Sequence, residues 1–169
     1  MLAISEGANA ICFLDADNLY DQDHVETCLN VAAANDYVAA RRRIVLPDGT
    51  PVNCLDEPIE QHVDTNCFFF LPGSFHTLPR WALQPREVTI LGDRLFLASL
   101  HGLKYAATNK PTVTYTSGWK CHYQAAGVTP PPDAKPNADW RPVRDWWRGL
   151  SAIEKTVVRR KLALPDFDL

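Results

Sequence analysis

Ala10-Ile11-Cys12-Phe13-Leu14-Asp15-Ala16-Asp17-Asn18 is the stretch on which the fold turns. Five apolar residues in a row, cut off at an acid, read as a short strand buried on both faces, as in a parallel sheet covered by helices. Downstream, Val25, Cys28, Leu29 and Ala32 recur at helical spacing and predict a helix over 22–35, capped by Asp21 or Asp23. The Asp-x-Asp pair therefore falls at the carboxyl edge of a sheet, where open α/β folds bind ligands. Two carboxylates so close repel each other until a cation arrives, which makes Mg²⁺ or Mn²⁺ the natural partner. Against this stands the plain alternative that Asp15 and Asp17 only cap the turn.

Working outward, residues 37–46 read as a strand carrying Arg41-Arg42-Arg43, and Pro47-Asp48-Gly49 as a turn into a return strand at 51–55. The arginines alternate across the strand, so a solvated sheet edge is expected there. Asn66-Cys67-Phe68-Phe69-Phe70-Leu71 is a second apolar strand, followed by a helical turn over 74–81. Gly92-Asp93 opens a helix that ends near Gly102, and 104–108 and 112–116 look like two short strands. A proline-rich connector spans 129–142, and the tryptophan-rich tail 143–169 has a helical pattern through about residue 164. That tail could dock on a partner or a membrane surface, but packing on its own domain is the expected use.

Composition excludes several classes. Apolar residues make up 46% of the 169, enough for a core hiding ~70% of the unfolded surface. Seventeen basic against twenty acidic residues give a net charge of −3, too little for a disordered chain and without the basic excess that drives nucleic-acid binding. No apolar run is long enough to span a membrane. Five scattered cysteines with no C-x-x-C predict free thiols in a reducing cytosol.

Phe13-Leu14-Asp15-Ala16-Asp17-Asn18 resembles the D-x-D segment of family-2 glycosyltransferases with the GT-A fold. The resemblance continues through Asp64-Thr65-Asn66-Cys67, similar to that family's acceptor-side strand, and Gly92-Asp93-Arg94-Leu95-Phe96, similar to its later acidic motif. It extends to Trp119-Lys120-Cys121-His122-Tyr123, similar to a site-closing loop. It implies a GT-A-like (Rossmann-like) mixed sheet with flanking helices over 1–128, and a metal-dependent, inverting sugar transfer from a nucleotide-sugar donor to a hydroxyl acceptor on a glycan, lipid or other molecule. It further implies Asp17 as metal ligand, Asp15 on the ribose or the metal through water, His122 as a third ligand, and Asp93 as the base. Arg94 would hold the diphosphate, Asp64 and Asn66 would face the acceptor, and Trp81 and Trp119 would stack on a sugar or base. Each has a plainer reading: His122 as a structural residue, Asp93 as an N-cap, Arg94 as an exposed cation, the tryptophans as packing.

A complete domain of that family carries a nucleotide-binding half ahead of its D-x-D strand, whereas fourteen residues precede Asp15. The resemblance therefore implies the C-terminal portion only, inactive alone if the donor half is needed. A sheet short of its first strands would open an apolar edge to a second copy or a partner chain. Location would be cytoplasmic, with peripheral membrane attachment through the tail as an option. Haloacid-dehalogenase-type phosphatases also place Asp-x-Asp after their first strand, and Ile90-Leu91-Gly92-Asp93 resembles their later motif. Leu97 replaces the second acid that motif wants, and Asn18-Leu19-Tyr20 replaces small residues. A non-catalytic remnant or partner-binding module is the third reading.

Overall fold

The computed structural model describes residues 2–54 and 57–169. Along the chain run α1 (Leu2–Ser5), β1 (Ile11–Cys12), β2 (Leu19–Tyr20), α2 (His24–Val31), β3 (Tyr37–Val45), β4 (Phe68–Phe70), α3 (Pro79–Leu83), α4 (Gly92–Ser99), β5 (Tyr105–Thr116), α5 (Lys120–Ala125), α6 (Arg141–Gly149) and α7 (Ala152–Leu162). They divide into two compact units, Met1–Phe75 with Leu103–Asn137, and His76–Gly102 with Ala138–Leu169.

The first unit is a mixed five-stranded sheet with helices, ordered β1-β4-β3-β5-β2. Only β3 and β5 run parallel; β1/β4, β4/β3 and β5/β2 are antiparallel. The core lies where Tyr37 to Ala40 of β3 and the three phenylalanines of β4 are buried together with Val113. The expectation of a doubly buried first strand is corrected. β1 is an edge strand, half-buried, and Phe13 and Leu14 beyond it are 40% and 48% exposed. Phe13 leans edge-on against Phe70 of β4. Its apolar character thus serves one face and an open edge.

Further corrections follow the hydrogen bonds. β3 is the middle strand, so Arg41 to Arg43 do not lie on a solvated sheet edge. The two short strands expected between 104 and 116 are one, β5, interrupted by a register irregularity where Pro111 offers no N–H and the Thr108 hydroxyl takes the Arg41 N–H. Helix α2 buries His24 and Cys28 and leaves Val25 and Leu29 exposed. Its expected caps do other work: Asp23 pairs with Lys110 and Asp21 with Arg43. Val45 forms a bridge with Pro51, and Val52 N–H donates to the Ile44 carbonyl, which returns the chain after the turn; Leu55 lies outside the described residues. Ile44, Leu46 and Val52 then pack with Tyr115, Tyr123 and Ala126.

The second unit is helical. Its core gathers Val88, Leu91, Leu95, Val143, Trp147, Val158 and Leu162. The tail is two helices rather than one: after Gly149, Leu150 is extended and Ser151 starts α7 with a capping box to Glu154.

Candidate functional site

Asp15 and Asp17 sit on a tight turn between β1 and β2, closed by Asn18 N–H donating to the Asp15 carbonyl at 3.1 Å. Both are exposed. The turn is held at each end. Asn66, fully buried, accepts the Asp15 N–H on Oδ1 at 2.6 Å and donates from Nδ2 to the Asp15 carboxylate at 2.9 Å. At the other end, the buried Asn18 side chain accepts the Thr116 N–H at 2.8 Å, tying the turn to β5. Its Nδ2 is buried with no hydrogen-bond partner among the described residues.

Behind Asn66 the chain of contacts continues inward. Asp64 caps the helical turn Thr65–Cys67, accepting from both the Asn66 backbone (3.0 Å) and its Nδ2 (2.8 Å). The other Asp64 oxygen meets Arg42 Nη1 at 2.6 Å, with both side chains only 9% exposed. Arg42 also stacks over the Tyr115 ring at 4.9 Å. Its charge and, more strongly, burial hold the His122 pKa below its ordinary value. His122 is therefore neutral at pH 7, the form that ligates metals or takes up a proton. Its Nδ1 is hydrogen-bonded to the buried Ser117 hydroxyl, which also accepts the Trp119 N–H at 3.2 Å. Trp119 itself precedes α5 and lies under the Lys135 ammonium, 5.8 Å from the ring centre.

The structure thus joins Asp15, Asp64 and Asn66 in one hydrogen-bonded chain and sets His122 within reach of Arg42's field. Asn66 spends both amide N–H groups on two aspartates and takes the Asp15 N–H on its carbonyl oxygen, so it has no donor left for a ligand. Asp93, Arg94 and Trp81 belong to the helical unit. Asp93 is the second residue of α4, half-buried, and Leu91 occupies the cap position. Arg94 lies over the Trp140 ring at 5.8 Å, and Trp81 packs on Phe96 with centroids 4.3 Å apart.

Three contributors carried no sequence signal, Arg42, Ser117 and Tyr20, and Asn18 was visible only as the last residue of the D-x-D segment. Arg42 was indistinguishable from its neighbours on a basic triplet. Tyr20 stacks on His24 with centroids 3.8 Å apart, and its hydroxyl contacts the Phe13 and Asn66 carbonyls.

Among the described residues no cluster of three His, Cys, Asp or Glu side chains is placed to hold an ion. The turn offers two exposed carboxylates, Asp15 and Asp17, followed by the Asn18 amide donor, which is buried with no acceptor among the described residues. No family model, no curated protein and no solved structure matches the chain.

Proposed function

We propose that the sheet unit carries the donor-binding edge of a metal-dependent glycosyltransferase using a nucleotide-sugar. The observation that carries this reading is the support built under Asp15. An exposed carboxylate whose backbone and side chain are both fixed by a buried amide, itself fixed by a buried Asp64–Arg42 pair, is costly to assemble for a turn that does nothing. A loop that merely closes a hairpin needs no such backing.

When bound, a divalent ion would neutralise charge developing on a leaving diphosphate. Asp17 would hold the ion, and Asp15, oriented by Asn66, would reach the ribose or the ion's water. His122 as a third ligand rests on the family resemblance alone: its Nδ1 is engaged by Ser117, and among the described residues no three His, Cys, Asp or Glu side chains are placed to hold an ion. Asp93 as the base, in the first turn of α4, Arg94 on the diphosphate and the tryptophans on sugar rest on the family resemblance.

Calorimetric titration with Mn²⁺, alone and with a nucleoside diphosphate, tests the reading. Wild type should bind Mn²⁺ weakly alone and more tightly with the diphosphate. Asp17→Ala should lose both while its unfolding midpoint stays near that of wild type, since Asp17 is exposed and the turn is closed by the Asn18 N–H on the Asp15 carbonyl. Equal binding by both proteins refutes it. Mg²⁺-dependent release of phosphate from a generic ester, abolished by Asp15→Asn, would instead establish a phosphatase.

A further inference from the structure

We propose that Tyr20 is a positioning residue for the Asp15–Asp17 turn, clamping the strand that enters the turn to the segment that supports it. The inference rests on Asp15 and Asp17 being the ligand-binding edge. Tyr20 lies on β2, just after the turn, yet its hydroxyl reaches back to the carbonyl of Phe13, two residues before Asp15. The same hydroxyl lies 3.0 Å from the carbonyl of Asn66, the residue that fixes Asp15. A phenol has one proton, so the two carbonyls share it in a three-centre bond. That single group therefore joins three segments: β2, the end of β1 and the helical turn at 65–67.

The ring is held as firmly as the hydroxyl. It stacks nearly parallel on His24, 12° between planes. His24 is buried and hydrogen-bonded through Nδ1 to the Thr112 hydroxyl at 2.8 Å. Burial foremost, and then the Cys12, Cys67 and Cys28 thiols, raise the phenol's pKa, so it remains a proton donor. A ring stacked on a histidine of helix α2 that is itself bonded to β5 sets the hydroxyl's position, and the hydroxyl sets the distance between Phe13 and Asn66. Without it, Asp15 would keep its bonds to Asn66, but the two segments bearing those residues could drift together relative to Asp17 and β5. Such drift matters because metal ligands and their supports tolerate little misplacement.

Tyr20→Phe removes the proton and keeps the stack. Hydrogen exchange should rise about five- to tenfold in segments 13–18 and 64–67, the loss expected from one hydrogen bond, with 37–45 and 105–116 unchanged. Mn²⁺ affinity in the presence of a nucleoside diphosphate should fall about tenfold, as for other residues that orient metal ligands. Thr112→Val, which frees His24 on the far side of the stack, should loosen the same two segments to a lesser degree; it serves if Tyr20→Phe does not fold. Unchanged exchange in those segments, or an equal rise through β3 and β5, overturns the clamp. Local loosening with undiminished Mn²⁺ affinity overturns its positioning role. If wild type binds no Mn²⁺, the transferase reading fails instead, and the exchange measurement still decides the clamp.

Discussion

Arg42 shows how much one side chain can change its meaning between sequence and fold. In a run of three arginines it has no distinguishing mark, and alternation places it and its neighbours on opposite faces. On the middle strand of the sheet one of those faces is interior, and Arg42 turns to it, meeting Asp64 and the Tyr115 ring. Arg43, one residue on, reaches the surface carboxylate of Asp21. Removing the cation leaves Asp64 buried without its counter-charge, a far larger loss than deleting a surface pair. Arg42→Met should therefore lower stability by roughly 3–5 kcal/mol, whereas Arg43→Met should cost less than about 1 kcal/mol. Urea unfolding of the two variants checks this; equal midpoints would show the Arg42–Asp64 pair to be solvated.

At the scale of elements, helix α2 was legible in existence and only partly in facing. Its apolar periodicity pointed Val25, Cys28, Leu29 and Ala32 inward; Cys28 is buried as expected, but Val25 and Leu29 are exposed and His24 is buried in their place. The reason is partnership: a histidine stacked on Tyr20 and bonded to Thr112 is cheap to bury, and no periodicity scale records that. The Asp15–Asp17 turn was legible because the apolar run 10–14 stops abruptly at an acidic pair. Its supports Asn66 and Asp64 were visible only as members of a resemblance, and Tyr20 not at all, since long-range contacts leave no local mark. The buried histidine has a measurable effect. Burial first lowers the His24 pKa, against the opposing pull of Asp21 and Asp23, and burial with Arg42 lowers that of His122. In the unfolded chain both take a proton near pH 6.5, so below that pH the unfolded state binds more protons and stability falls as pH drops. The exposed Asp139, held at about 2 by Arg141, responds only in much stronger acid. Thermal midpoints should thus decline from pH 7.5 to 5.5, less steeply in His24→Gln than in wild type; parallel declines would clear α2 of the effect.

For the whole molecule, the helical unit has an apolar cluster of its own residues in which Trp147 is the largest buried side chain. Its indole N–H donates to Asp168 at 2.6 Å, while Phe167 meets its ring edge-on and Lys155 and Arg159 lie over its face. Trp147→Ala should cost about 3–5 kcal/mol. Hydrogen exchange should accelerate over 88–99 and 143–162 and stay slow over 37–45 and 105–116. Equal acceleration in all four segments would mean that the clusters unfold as one.

The helical unit is assembled from chain made at two different times. Val88, Leu91 and Leu95 leave the ribosome before β5, whereas Val143, Trp147, Val158 and Leu162 follow it. At ~5–20 residues per second, the gap of about fifty residues between Leu95 and Trp147 lasts several seconds. Throughout that interval three core residues wait without their partners while the sheet beside them in sequence is being completed. The nascent protein thus offers a holding chaperone a transient apolar segment, and slowing or speeding translation between the two halves would alter yield without changing a single contact of the finished fold.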